Sequence, residues 1–269
     1  MSAKNHTEGS LRLALFQTDI VWEDRKSNLK KVSSFTDSLL NLPDIIVLPE
    51  AFALGFTMRS EKFAEEEDGE TESFLMELSV KTGSAVVGGL YLKNRNGKPW
   101  NTVSAAAEGK IICRYKKNYP FSFGGEDRFF SAGTERAGFD WKGFRISLAI
   151  CFDLRFPELF RGTAGETDLY IVSANWPSVR IHHWLSLLRA RAVENQAYLA
   201  GVNRTGNSGG FKKIHYNGYT GIFYPSGYEK TVQSEKEEVL ETVISKKELY
   251  EYRESLPFLK DIRKDRILQ

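Results

Sequence analysis

Cysteine and histidine are scarce in this chain of 269 residues, which holds Cys113, Cys151 and four histidines. So few cysteines exclude the disulfide framework of a small secreted domain, and scattered histidines supply none of the paired spacing of a zinc site. No metal is expected. The chain also lacks an apolar run long enough to span a bilayer, and its opening segment MSAKNHTEGS has no apolar core of the secretory kind. A cytoplasmic protein without a membrane partner is the expectation. Charge of one sign is not in excess either: 37 lysines and arginines face 35 acids, a net charge of +2. That leaves no general electrostatic case for nucleic acid. Repeats, low-complexity tracts and linkers are absent, so a chain with 41% hydrophobic residues should form one domain.

What is present is an alternation. Short β-branched runs read as strands: LRLALFQTDI from Leu11, DIIVLPE from Asp44, SAVVGGLYLK from Ser84, FRISLAIC from Phe144, DLYIVSAN from Asp168 and AYLAGVN from Ala197. Between them lie helical patterns over 24–40, 70–81, 157–164 and 182–195. Strand and helix in turn predict an α/β fold. Turn signals at NRNGKP, AEGK and YPSGYEK add antiparallel hairpins, so the sheets should be mixed. Ten to twelve strands are expected, enough for two stacked sheets with helices outside. After the last strand, VLETVIS, comes an amphipathic helix broken at Pro257 and a basic arm.

In such sheets chemistry gathers beyond the carboxyl ends of strands. Glu50 ends DIIVLPE, Lys117 follows KIICRY, and Cys151 ends FRISLAI. A thiol at its reference pKa is a poor nucleophile, so a catalytic cysteine needs a cation to favour the thiolate and a base to take its proton. Lys117 and Glu50 are candidates for those two roles. The backbone N–H of Phe152 would join Lys117 in holding an oxyanion.

The stretches LPEAFALGF, YKKNYPF and CFDLRFPE closely resemble, in order and separation, the glutamate, lysine and cysteine signatures of the nitrilase superfamily of carbon-nitrogen hydrolases. The resemblance implies a four-layer α-β-β-α sandwich and hydrolysis through a cysteine thioester, with no metal or organic cofactor. It covers 11–253, leaving 1–10 as a disordered tail and 254–269 as a C-terminal arm, and it suggests a homodimer. Glu50 matches the general base, Lys117 the catalytic lysine and Cys151 the nucleophile; Glu126, in FSFGGEDRFFSAG, matches a second glutamate of many amidases. Tyr119 and Pro120 depart from the histidine and leucine of many relatives, which affects the loop after the lysine rather than the lysine itself. CFDLRFPE, ANWPSVRIHHW and LLRARAVENQAYLAGVNRTG are most similar to the omega-amidase branch, which hydrolyses the terminal amide of monoamides such as 2-oxoglutaramate and succinamate. The far carboxylate of such a substrate would meet Arg155, Arg128 or Arg180, with Trp176 as a pocket wall.

Each of these residues has a plainer reading. Cys113 lies inside an apolar run and reads as a core thiol. Glu50 could cap the segment after its strand, and Arg155 could brace its turn by pairing with Asp153 or Glu158. His182 and His183 invite a Cys-His reading but fit the start of a helix, and GNSGGF lacks the Walker lysine pattern. The rival functions are an N-carbamoyl or other small-amide hydrolase, and a silent scaffold member.

Overall fold

The computed structural model describes residues 9–209 and 213–263. The first half runs β1 (Ser10–Gln17), α1 (Arg25–Asp37), β2 (Ile45–Val47), α2 (Ser60–Phe63), α3 (Glu70–Thr82), β3 (Ala85–Leu92), β4 (Trp100–Ala107) and β5 (Lys110–Lys116). The second half runs β6 (Gly138–Trp141), β7 (Phe144–Ile150), α4 (Pro157–Arg161), β8 (Leu169–Ala174), α5 (Ile181–Asn195), β9 (Tyr198–Asn203), β10 (Thr205–Asn207), β11 (His215–Asn217), β12 (Gly221–Phe223), β13 (Glu229–Thr231), β14 (Glu238–Ser245) and α6 (Lys246–Ser255). Two six-stranded sheets form, ordered β14-β1-β2-β3-β4-β5 and β13-β12-β9-β8-β7-β6, and β10 pairs with β11 as a separate ribbon. The expected strand count covers the two sheets. The ribbon was not anticipated, because TGN and HYN carry no apolar alternation.

Each sheet has a parallel centre, β1-β2-β3 or β7-β8-β9, flanked by antiparallel strands. Central parallel strands are covered on both faces, so β2, β8 and β9 are buried throughout and mostly apolar. The two faces of β1 show how the layers stack. Leu11, Leu13 and Leu15 enter the core shared with Ile146, Leu148 and Ile171 of the other sheet, whereas Ala14 and Phe16 join Val32 of α1 and Leu75 and Leu78 of α3. On the opposite side Trp184 and Leu188 of α5 cover β9 at Gly201, where a Cβ would come within 2.6 Å of Leu188. The result is the expected α-β-β-α sandwich of two mixed sheets.

Local signals set the helix ends. The Asp24 carboxylate accepts from the Ser27 N–H at 3.1 Å to start α1, Gly83 at φ +66° closes α3, and Pro157 opens α4. Among the described residues no helix is long and apolar enough to cross a membrane. Of the 1–10 tail, Ser10 already belongs to β1, and of the 254–269 arm, Ser255 still belongs to α6; residues 1–8, the tip of GNSGGF and residues 264–269 lie outside the described residues.

Candidate active site

Both sheets deliver a chain reversal to the same place. β2 ends at Val47 and the chain turns at Glu50 and Ala51, with Ala51 in the left-handed region at φ +47°; β7 ends at Ile150 and turns at Cys151, at φ +45°. A left-handed conformation at a residue with a Cβ costs energy and persists where surrounding structure enforces it. The enforcing contacts cross from sheet to sheet: Ser173 Oγ donates to Leu48 O at 2.8 Å, and Asn175 Nδ2 donates to Glu50 O at 2.7 Å. The Glu50 carboxylate accepts from Asn175 N (2.8 Å) on one oxygen and from Asn101 Nδ2 (2.8 Å) and Lys117 Nζ (3.0 Å) on the other. A capping role for Glu50 is thereby replaced by a fully buried one.

Gly89 of β3 makes room for this turn. A Cβ there would sit 2.5 Å from Ala51 N and 2.7 Å from Glu50 Cα, both backbone atoms that cannot swing aside. Gly89→Ala should therefore lower stability by about 1–3 kcal/mol through overpacking and depress turnover at the same time, read by thermal melting and a steady-state assay. Unchanged values for both would show that the Glu50 turn is not held in this way.

Lys117 follows β5 and is 1% exposed; Glu50 is 1% and Glu126 is 0% exposed. The ammonium donates to Glu50 at 3.0 Å and to both oxygens of Glu126, at 3.1 and 2.8 Å. Glu126 also accepts from Asn101 Nδ2 (2.9 Å) and Phe121 N (2.6 Å), so Asn101 bridges the two carboxylates. Burial works to neutralise the ammonium, yet Glu126 and Glu50 outweigh it and hold Lys117 charged, well above the usual lysine range.

The charge count governs the thiol. Two carboxylates and one ammonium already leave this buried cluster with net charge −1, and a thiolate would make it −2. Burial first, and then Glu50, push the Cys151 thiol well above its ordinary value, and the pull of Lys117 does not overcome them. Lys117 alone therefore does not favour the thiolate, which leaves the thiol proton to a base, the role for which Glu50 is the candidate. The cysteine is a neutral thiol at rest, its Sγ 3.9 Å from Asn175 O, with Glu50 in the same cavity wall.

A third carboxylate ties the cysteine turn to the lysine loop. Asp153 accepts from Ile150 N (2.9 Å), Tyr119 N (2.9 Å) and Tyr115 Oη (2.8 Å). Burial pushes its carboxyl up to about 7, against the pull of Lys117 and these donors. Tyr119 stacks on Phe156 at 3.7 Å and donates to Glu158 at 3.1 Å, so the departures at Tyr119 and Pro120 fall on the outer side of this brace.

Cys151, Glu50 and Lys117 open onto a cavity of about 70 Å³, which Phe152, Trp176, Arg155, Arg180 and Tyr216 also line. Arg155 is not bound to Asp153 or Glu158. Its guanidinium lies 4.9 Å from the Trp176 ring and 3.2 Å from His183 Nδ1. Arg180 lies over Phe121 at 5.5 Å, and among the described residues its guanidinium makes no hydrogen bond or ion pair. Burial and the nearby Arg180 charge lower the pKa of Arg155. Arg128 is exposed and does not line the cavity, which removes it from the candidates. His182 is exposed on α5 outside the cavity wall, and Cys113 is a half-buried thiol that burial pushes up to about 11. Among the described residues no group of His, Cys, Asp and Glu could hold a metal ion.

Sequence reasoning missed Asn101, Asn175 and Tyr216. Asn175 follows β8 directly and obeys the strand-end rule that picked out Glu50 and Cys151. Asn101 sits inside β4 and nothing in its local sequence marks it, and Tyr216 depends on the unanticipated ribbon.

A strand-end thiol, glutamate and lysine converging between two sheets is the arrangement of an amide-hydrolysing enzyme, and the family model of carbon-nitrogen hydrolases matches residues 12–254. The chain belongs to that family. It is 37% identical over 259 residues to the omega-amidase YafV of Yersinia enterocolitica, covering 95% of this chain and 98% of the relative. It is 34% identical over 256 residues to a 2-oxoglutaramate amidase of Bacillus subtilis (strain 168), covering 94% and 98%. Among solved structures it is similar to XC1258 from Xanthomonas campestris, a CN-hydrolase superfamily protein with an arsenic adduct in its active site (TM-score 0.90, 33% identity, 95% of this chain and 98% of that one).

Proposed function

We propose that the protein is an omega-amidase: it hydrolyses the terminal amide of small dicarboxylic acid monoamides, 2-oxoglutaramate and succinamate among them, to the diacid and ammonia. The observation that carries the reading is the pair Arg155 and Arg180. Neither guanidinium has a carboxylate partner among the described residues, and both line the cavity that holds Cys151. Adjacent unpaired cations in a small cavity call for an anionic ligand, and a planar guanidinium suits a carboxylate. The omega-amidase and 2-oxoglutaramate amidase names of the relatives support the same class.

In the proposed mechanism the Cys151 sulfur attacks the amide carbon as Glu50 takes the thiol proton. Lys117 and the Phe152 N–H donate to the oxyanion so formed. The tetrahedral species collapses with cleavage of the C–N bond, and the proton on Glu50 passes to the leaving nitrogen, releasing ammonia. Glu50 then deprotonates water, which attacks the thioester; collapse expels the thiolate, which regains its proton from Glu50. Glu126 holds the Lys117 ammonium in place while one of its N–H groups turns from its present acceptor to the oxyanion. A resting neutral thiol fits this scheme, since the proton carried by Cys151 is the one that ammonia needs.

Ammonia release from 2-oxoglutaramate, succinamate, glutamine, asparagine, an N-carbamoyl amino acid and a simple nitrile tests the assignment. The first two should dominate. Arg180→Gln should lower the ratio of kcat/KM for succinamate over that for an uncharged amide by about 100-fold, the loss expected for one charge-assisted contact. An unaltered ratio, or preference for the carbamoyl compound, defeats the reading. The homodimer and the cytoplasmic location belong to the same proposal, and sedimentation at twice 30.6 kDa checks the first.

A further inference from the structure

Tyr216 stands at the centre of β11, on the ribbon that lies outside both sheets, and only 3% of it is exposed. Its ring lines the cavity with Cys151 and Arg180, and its hydroxyl makes no hydrogen bond with the described residues. A buried phenol ordinarily finds a partner, so a hydroxyl left free on a cavity wall is placed for a ligand.

Behind the ring lies a built support. The fully buried Arg204 guanidinium sits 4.7 Å from the Tyr216 ring, anchored by Nε to Thr205 O (3.0 Å) and by Nη2 to Asp19 (2.9 Å) and Ile20 O (3.1 Å), while its Nη1 has no partner among the described residues. A cation held against the ring polarises the phenol and makes its O–H a better donor. Burial nevertheless holds the hydroxyl protonated, well above the usual tyrosine range, against the pull of Arg204 and Arg180 and with the help of Cys151 and Glu50. The group is thus a neutral donor rather than a base, and it feels both the nucleophile and the arginine end of the cavity.

We propose that Tyr216 is a specificity-determining residue whose hydroxyl donates to the 2-oxo oxygen of the substrate, one carbon from the carboxylate that faces the arginines. This rests on the omega-amidase reading above. A neutral O–H recognises a carbonyl acceptor and gains nothing from a methylene at the same position, so it separates 2-oxo monoamides from their deoxo analogues. Arg204 acts through Tyr216 as a positioning residue.

The test is the ratio of kcat/KM for 2-oxoglutaramate over that for glutaramate, which has the same length and carboxylate but no oxo group. Tyr216→Phe keeps the ring over Arg204, and thermal melting monitors the fold. The ratio should fall about tenfold, the effect of one hydrogen bond to a neutral partner. An unchanged ratio overturns the assignment, whether both rates fall together or neither does. If wild type releases no ammonia from either compound, the omega-amidase reading itself fails, and the role of Tyr216 with it. The two failures are therefore distinguishable.

Discussion

Cys151→Ala should lose at least about 10⁴-fold in amide turnover while melting close to wild type. The residue holds φ +45° under contacts made by its neighbours, Asp153 among them, and alanine demands the same backbone cost as cysteine. The fold therefore has little reason to change. The chemistry has no substitute: among the described residues Cys151 is the one thiol lining the cavity with Glu50 and Lys117, and without it no thioester can form. Cys113→Ser is the matched control, half-buried on β5 and outside the cavity, and should leave turnover within about twofold because it touches none of the residues around Cys151. Ammonia release and circular dichroism melts on both variants decide the matter. Turnover of Cys151→Ala within tenfold of wild type would sink the nucleophile assignment. The protonated resting thiol also changes how labelling should be interpreted. A slow reaction with a general alkylating reagent is compatible with an active enzyme here, because Glu50 activates the thiol in concert with a bound amide and not in its absence.

Lys117→Met should be the change most damaging to stability. Its ammonium is the cation between two carboxylates that are essentially inaccessible to water. Removing one partner of a buried ionic cluster costs about 3–5 kcal/mol, since the remaining charges are uncompensated. The pH dependence follows from the same geometry. In the wild type the raised lysine pKa contributes stability that is complete below the unfolded lysine value, about 10.4, and is lost only as pH rises through the higher folded value. Lys117 therefore gives no slope between pH 5 and 8. In the variant Glu50 and Glu126 share Asn101 with no cation, so ionising both becomes costly and the folded state holds a proton that the unfolded chain releases. Its stability should fall as pH rises from 5 to 8. Adding Glu126→Gln to Lys117→Met should recover part of the loss, because the pair is coupled. Melting profiles at pH 5 and 8 for wild type and both variants are the measurement; a variant that melts equally at the two pH values would show that the carboxylates are not forced together.

The sheet order illustrates how far local pattern carries. Strands β1, β2, β3, β7, β8 and β9 are legible because each is a short apolar run bounded by turn residues, and burial on both faces is written directly into side-chain character. Glu50, Lys117 and Cys151 are legible for a related reason: ionisable groups stand where such runs stop. The ribbon of β10 and β11 is not, because TGN and HYN gain their pairing from position in the tertiary structure rather than from propensity. Asn101 is hidden for the same reason, as a polar residue in an apolar strand whose two acceptors, Glu50 and Glu126, are 51 and 25 residues away in the chain.

Composition and local pattern by themselves determined the α/β alternation, the two-sheet class and the identity of the strand-end glutamate, lysine and cysteine. Those properties depend on residues near one another in sequence, through the periodicity of burial and the chemistry of short motifs. Tertiary structure decided which charges surround the thiol, that Arg155 and Arg180 line the cavity while Arg128 does not, and that Tyr216 joins the cavity wall. Each of these is a sum of charges and contacts between segments distant in the chain, and electrostatics in a buried site is set by distance in space, which a linear sequence does not contain.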